Sequence, residues 1–200
     1  MKKSIAAITI ALIALSFSVN NVIPIGGEMP KKDVKMKDIS GNDISMKEAA
    51  DKNGLLVIFV SNACPYVVKN EKRITDITNY AKRNNFGVIL LNSNEAYRDG
   101  EDSYTEMKHF ASRNNLKCYY VIDTNSEIAD AFEAKRTPEC FLFDNKLNLT
   151  YHGAIDDNPS DESAVKRQHL REAITEMANG NAVSVTESKS VGCQIKRKQQ

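Results

Sequence analysis

Residues 55–68 read LLVIFVSNACPYVV, and this stretch predicts how the chain folds. Its first part, Leu55–Val60, is continuously apolar and rich in branched side chains, which is typical of a strand covered on both faces. Pro65 is favoured in the first turn of a helix, and apolar residues recur at helical spacing after it. The stretch therefore predicts a buried strand, a short loop and a helix, with Cys64 at the junction.

The rest of the chain continues this alternation of strands and helices. A hairpin with its turn at Ser40–Asn42 and a short helix come before the stretch, and two more strand–helix units follow it. Thr137-Pro138 then leads into an apolar strand and a hairpin, and a charged helix over about residues 162–178 closes the unit. This order predicts an α/β domain with a central mixed β-sheet flanked by helices and with an N-terminal hairpin extension.

Composition excludes several classes of function. The 200 residues carry 27 Lys and Arg against 26 Asp and Glu, a formal net charge of +1, so no overall field attracts nucleic acid or an anionic membrane. Four cysteines are too few to staple a domain of this size, and each is weighed separately as a chemical group. The three histidines, His109, His152 and His169, lack metal-ligand spacing. We expect no nucleic-acid partner, no metal and no bound cofactor.

Residues 1–19 have the order of a secretory signal. Two lysines precede an apolar run over 5–19, which is shorter than the roughly 20 residues of a membrane-spanning helix. An uncleaved anchor is the alternative. We expect a cleaved signal and a secreted or periplasmic protein without stable membrane insertion, with a folded domain over 28–180 and a flexible C-terminal tail over 181–200.

Cys64 is the leading candidate for a reactive side chain. It follows a buried strand and directly precedes Pro65 at a helix start, where unpaired backbone N–H groups and the helix dipole favour a thiolate. Strand ends are also the places where α/β sheets bind their ligands. The alternative is an inert buried thiol, which is common for cysteine.

Four fragments carry a resemblance to a known family: VIFVSNACPYVV at 57–68, RTPECFLFD at 136–144, LTYHGAIDD at 149–157 and VGCQIK at 191–196. In this order they resemble the peroxiredoxin-like, redoxin-domain branch of the thioredoxin superfamily, over nearly all of residues 33–196. The resemblance implies a thioredoxin-like fold in which Cys64 is the nucleophile and Pro138 is the cis-proline that faces it.

The same resemblance implies where a substrate binds. Thr137 and Pro138 would contact an extended peptide or a mixed-disulfide partner through backbone hydrogen bonds. Pro65 and Tyr66, beside the nucleophile, would complete the substrate-binding surface.

The chain departs from its relatives at the second cysteine. Thioredoxins carry Cys-x-x-Cys, but the second position is Val67 here, and two further family positions for cysteine hold Ser61 and Arg136. Peroxiredoxins place a Thr or Ser at the position of Ser61 to hold the peroxide, and an Arg near the sulfur, a role for which Arg136 is a candidate. Ser61 as an ordinary helix-capping serine is the alternative.

Three cysteines remain as partners for Cys64. Cys118 and Cys140 are predicted to begin adjacent strands and to be small buried residues, and a bond between them stays open. Cys193 lies in the polar tail, where it is free to travel, so it is the candidate resolving thiol.

These observations predict an oxidoreductase in which a single nucleophilic cysteine, Cys64, carries out thiol–disulfide exchange or peroxide reduction. Its partners would be a protein thiol or disulfide, or a hydroperoxide, together with an external thiol reductant. The alternative is a non-catalytic module that holds peptides or proteins along Thr137 and Pro138.

Overall fold

The computed structural model describes residues 23–198, and the predicted secretory signal lies outside them. The strands are β1 (Met36–Lys37), β2 (Asp43–Ile44), β3 (Gly54–Val60), β4 (Phe86–Asn92), β5 (Tyr119–Ile122), β6 (Arg136–Thr137), β7 (Glu139–Phe143), β8 (Leu149–Gly153) and β9 (Cys193–Gln194). The helices are α1 (Met46–Ala49), α2 (Pro65–Lys69), α3 (Glu71–Arg83), α4 (Tyr104–Arg113), α5 (Glu127–Phe132) and α6 (His169–Ala178).

A five-stranded mixed sheet forms the centre of the domain, in the order β5-β4-β3-β7-β8. The strand β3 pairs in parallel with β4 and antiparallel with β7. Leu56, Ile58 and Val60 pack into the core on one face of the sheet. Leu55, Val57 and Phe59 pack into the core on the other face, because successive side chains of a strand point to opposite sides. The predicted mixed sheet with flanking helices is confirmed.

Most predicted elements lie where the sequence placed them, and two differ. The hairpin turn at Ser40–Asn42 joins β1 to β2 as expected. The helix after Cys64 is broken at Asn70 into α2 and α3. The last helix begins at His169 rather than near 162. Residues 162–164 form one 3-10 turn, after which Asp157 accepts from the Lys166 amide and donates its backbone N–H to the Arg167 carbonyl, so these residues lie in a loop.

The C-terminal segment is docked on the domain, in place of the mobile tail that its polar composition suggested. Its backbone bonds to β8, where His152 donates to the Thr186 carbonyl and accepts from the Ser188 amide at 2.9 and 3.0 Å. Further along, β9 pairs antiparallel with β6, and Ile195 is buried in the core. These contacts use main-chain groups, so the polarity of the side chains gave no sign of them.

No helix within residues 23–198 is long and apolar enough to cross a membrane.

Candidate active site

Cys64 caps the N-terminus of α2 and lies three residues after Ser61, the residue that follows β3. Cys64 is 3% exposed and belongs to the same buried cluster as Val60 and Val67. Its Sγ atom lies 3.1 Å from the Thr137 carbonyl oxygen and 2.7 Å from the Sγ atom of Cys193. The structure therefore brings together two of the four cysteines, which are separated by most of the chain.

Cys193 reaches Cys64 because β9 runs along β6. In this pairing Cys193 stands opposite Thr137, and Gln194 stands opposite Arg136. Gly192 permits the close approach, since a Cβ atom at this position would come within 2.1 Å of the Thr137 carbonyl oxygen. A two-strand ladder thus places the second sulfur directly over the first.

Thr137 and Pro138 are both buried and form the wall of the site on the β6 side, and the peptide bond between them is cis. The backbone edge that the resemblance assigned to an extended substrate is occupied by β9 of the same chain. The tail therefore lies where a bound peptide was expected.

Arg136 bonds to the tail, and no hydrogen bond within residues 23–198 joins its side chain to Cys64. The Arg136 side chain is exposed, and its guanidinium Nη1 donates to the Gly192 carbonyl at 3.1 Å. Below it, the buried Glu139 accepts hydrogen bonds from the backbone amides of Lys135 and Arg136, and lies 2.8 Å from His152. Burial opposes ionisation of Glu139, but these hydrogen bonds outweigh it and lower its pKa. This carboxylate holds the turn that leads into β6.

Ser61 belongs to a buried polar network centred on Asp102. The Ser61 hydroxyl donates to Asp102 Oδ2 at 2.8 Å, and the Asn62 backbone amide donates to Oδ1 at 2.7 Å. Ser61 Oγ also accepts from the Ala63 amide at 3.2 Å. Since Ser61 is 1% exposed and Asp102 is fully buried, the network fixes the loop that carries Cys64.

Asn94 extends this network to the tail. Its amide Nδ2 donates to Asp102 Oδ2 at 2.9 Å, while its Oδ1 accepts from the Lys196 backbone amide at 2.8 Å. The sequence analysis did not find Asp102 or Asn94, although both lie in the polar loop after β4. A run of polar residues at a strand end of an α/β sheet was the available signal. One carboxylate and one amide thus tie the segments that carry the two cysteines.

Pro65 and Tyr66 lie beside the sulfur pair because they directly follow Cys64 in the chain. Pro65 is exposed and lines an open cleft, whereas Tyr66 is partly buried and packs against the core. The cleft is bounded by both segments of the site: Ser61, Ala63, Cys64, Pro65, Asn94, Tyr97, Cys193, Gln194 and Lys196. It is the opening through which solvent reaches the sulfurs.

The surroundings of Cys193 change its acidity. Burial, together with the hydrogen bond to Cys64, raises the pKa of Cys193 to about 11. The Tyr66 backbone amide and the Lys196 ammonium act in the opposite direction without overcoming this effect. Cys193 therefore retains its proton near neutral pH.

Cys118 and Cys140 lie apart from this site and from each other. They precede β5 and begin β7, and both β4 and β3 stand between these strands, so the predicted adjacency of their strands is wrong. Strand order depends on long-range pairing that periodicity does not reveal. Burial raises the pKa of Cys118 to about 12 and raises that of Cys140 as well.

Residues 23–198 contain no group of three or more His, Cys, Asp and Glu side chains placed to hold a metal ion.

Comparison with known proteins defines the class. The profile of the Redoxin family matches residues 24–168, and the chain belongs to this family. With the central sheet and the neighbours below, this places the protein in the redoxin branch of the thioredoxin superfamily. The matched range contains Cys64 and the β6–β7 turn but ends before the tail that carries Cys193.

Several solved structures share the fold. An uncharacterized conserved protein from Geobacillus kaustophilus is 27% identical, with a TM-score of 0.83 over 90% of this chain and 95% of that one. A hypothetical protein from Sinorhizobium meliloti 1021 is 29% identical, with a TM-score of 0.81 over 90% and 98%. A putative thiol:disulfide interchange protein DsbE from Chlorobium tepidum shares the fold at 12% identity, with a TM-score of 0.57 over 79% and 97%. No curated protein sequence matches the chain.

Proposed function

We propose that this protein is an extracytoplasmic thiol oxidoreductase in which Cys64 is the nucleophile and Cys193 resolves the oxidised product. The observation that carries the proposal is the 2.7 Å separation of the two sulfurs. Cys193 replaces the resolving thiol that is missing at Val67, Ser61 and Arg136. The single nucleophile expected from the sequence thereby gains Cys193, its candidate resolving thiol, as a partner.

Cys64 acts first in this cycle, because the pKa of Cys193, raised to about 11, keeps that thiol protonated. With a hydroperoxide, the Cys64 thiolate attacks the O–O bond, forms a sulfenic acid and releases an alcohol or water. The Cys193 thiol then attacks the sulfenic sulfur, which forms the Cys64–Cys193 disulfide and expels water. The two thiols together supply the two electrons that reduce the hydroperoxide, so this cycle needs no bound cofactor.

A hydroperoxide fits the site better than a protein disulfide does. The backbone edge of Arg136 and Thr137, which an extended protein substrate would need, is paired with β9. A small oxidant needs only the cleft beside Pro65 and Tyr97. The same occupancy disfavours the alternative of a peptide-binding module, since its binding edge would be filled by its own tail.

Ser61 and Arg136 receive positioning roles in this proposal. The Ser61 hydroxyl already donates to Asp102, so we assign it to holding the Cys64 loop rather than to binding the peroxide. Arg136 holds the Gly192 carbonyl and so keeps Cys193 in register with Thr137. Thr137 and Pro138 form the wall against which the two sulfurs meet.

The extracytoplasmic location is part of the proposal. It rests on the signal-like order of residues 1–19, and a stable Cys64–Cys193 disulfide suits an oxidising compartment.

The test is peroxide consumption with a thiol reductant, measured for the wild type and for Cys64→Ser, Cys193→Ser and Cys118→Ser. We expect Cys64→Ser to lose turnover completely and Cys193→Ser to stall as a sulfenic acid, which a dimedone adduct reveals by mass spectrometry. Cys118→Ser is the matched control and should retain turnover. Wild-type activity in Cys64→Ser would refute the proposal. Reduction of a protein disulfide by a dithiol, without peroxide consumption, would show that the substrate is a protein disulfide and not a hydroperoxide.

A further inference from the structure

The two sulfurs of the site differ in how they can be reached. Cys64 is 3% exposed and is part of the buried core cluster, whereas Cys193 is partly exposed and is followed by the exposed Gln194. The cleft that opens to solvent is lined on the tail side by Cys193, Gln194 and Lys196. Access from solvent therefore favours Cys193.

Thiol–disulfide exchange adds a geometric requirement to this difference. The entering thiolate approaches along the axis of the disulfide, from the side opposite the leaving sulfur, so access to the attacked sulfur decides which bond breaks. Cys64 also lines the cleft, but it is 3% exposed and packed in the cluster of Val60 and Val67, so a bulky thiol has little room to reach it. Cys193 is partly exposed on the tail side of the cleft, where an entering thiol has more room.

Fraying of the tail does not readily uncover Cys64. The tail is fastened on both sides of Cys193, by Ser188 against His152 before it and by Ile195 against the Lys135 carbonyl after it. The Lys196 amide also binds Asn94 at 2.8 Å. A reductant consequently meets the disulfide with the tail in place.

Charge at the cleft also favours an entering anion. Lys196 lines the cleft with Cys193, is exposed, and lies near enough to favour negative charge on that sulfur. A thiolate that enters the cleft is therefore attracted toward the side that carries Cys193.

We propose that the external thiol reductant attacks the Sγ atom of Cys193, and that Cys64 is the leaving sulfur. In the first step a new sulfur–sulfur bond forms between reductant and Cys193, the Cys64–Cys193 bond breaks, and its electron pair leaves on Cys64 as a thiolate. A second thiol of the reductant then attacks its own sulfur in this mixed disulfide and releases Cys193. The protein gains two electrons, and the reductant is oxidised to a disulfide.

This inference rests on the proposed Cys64–Cys193 disulfide and makes Cys193 the partner-facing catalytic residue. Cys64 then meets the oxidant and Cys193 meets the reductant. In the arrangement carried by Cys-x-x-Cys proteins, both cysteines lie in one short motif. Here the two roles fall on residues 129 positions apart in the chain.

The first measurement establishes that the disulfide exists. Oxidation with hydrogen peroxide should lower the intact mass by about 2 Da, and trypsin should yield residues 53–69 linked to residues 190–196, since lysines bound both segments. Absence of this linked pair would refute the proposed function itself. Its presence allows the second measurement to address the inference alone.

The second measurement compares single sulfurs. Cys64→Ser and Cys193→Ser, each also carrying Cys118→Ser, are loaded with 2-nitro-5-thiobenzoate on the remaining site cysteine, and glutathione is added. Because glutathione must attack the protein sulfur to release the coloured anion, we expect release from Cys193 to be faster by about tenfold or more. Equal rates, or faster release from Cys64, would overturn the inference. Far-ultraviolet circular dichroism of both loaded variants verifies that they are folded.

Discussion

Cys64 and Cys193 differ from Cys118 and Cys140 in whether the two thiols meet in the folded chain. The first pair is far apart in the chain, yet its sulfurs lie 2.7 Å apart. The second pair is close in sequence, yet β4 and β3 stand between the strands concerned. Separation along the chain is thus a poor guide to which thiols can react together, because a thiol pair needs contact in the folded state.

Burial and pKa do not separate the two pairs. Cys140 is fully buried, and burial raises its pKa, so it behaves as a small core residue. The pKa of Cys118 is also raised by burial, to about 12. Cys193 has a raised pKa as well, but it faces an open cleft and touches another sulfur. Contact between the two sulfurs, rather than pKa or exposure, distinguishes the site cysteines, because Cys118 is also partly exposed and lines an open cleft of its own.

The largest expected effect is the pH dependence of the rate at which Cys193 is alkylated. A thiol with a pKa of about 11 is thiolate in about one molecule per thousand at pH 8. In the reduced protein, the rate of Cys193 alkylation by iodoacetamide should therefore rise about tenfold per pH unit from pH 8 to 10. Mass spectrometry of the tryptic segment 190–196 measures it, and urea-unfolded protein is the control. A plateau near the ordinary value of about 8.5 would show that Cys193 is not held as the structure indicates.

A smaller effect is expected from Asp102→Asn, which breaks the link between the two site segments. Asp102 is fully buried and accepts from Ser61, Asn62 and Asn94, so the substitution should lower the free energy of unfolding by about 2–3 kcal/mol. It should also slow closure of the Cys64–Cys193 disulfide. Urea unfolding and thiol titration measure the two effects. Asp99→Asn, at an exposed position of the same loop, is the matched control, and equal results for both would remove Asp102 from the site.

The smallest expected effect tests the close approach of the tail. In Gly192→Ala, the new Cβ atom would lie 2.1 Å from the Thr137 carbonyl oxygen, so β9 must shift away from β6. We expect a cost of about 1–3 kcal/mol in docking the tail and a lower fraction of intramolecular disulfide in a glutathione redox buffer. Gly100→Ala, where the nearest atom is 3.8 Å away, is the control. An unchanged disulfide fraction in Gly192→Ala would mean that the tail approaches by another route.

Much of the fold was predictable from local pattern. The strands β3 and β4 are continuous apolar runs because both of their faces are buried. The helix α4 has apolar residues at helical spacing because only one of its faces is buried. Pro65 and Gly180 marked a helix start and a helix end for equally local reasons, and Gly180 has the positive φ of 76° that such an end favours. The start of α6 was not predictable from helical spacing, because hydrogen bonds from Asp157, in an earlier loop, hold Lys166 and Arg167 outside the helix.

Of the candidate site, the sequence by itself determined that Cys64 stands at a strand–helix junction and that its usual partner cysteines are absent. These are facts of residue type and spacing. Only the tertiary structure decided that Cys193 covers Cys64, that Arg136 binds the tail, and that Asp102 and Asn94 join the two segments. Such contacts depend on backbone pairing and on the absence of side chains at Gly192 and Gly153, where a Cβ would lie 2.1 and 2.3 Å from a neighbouring atom. Backbone hydrogen bonds are available to every residue type, so a polar tail that docks through them has the same composition as one that does not.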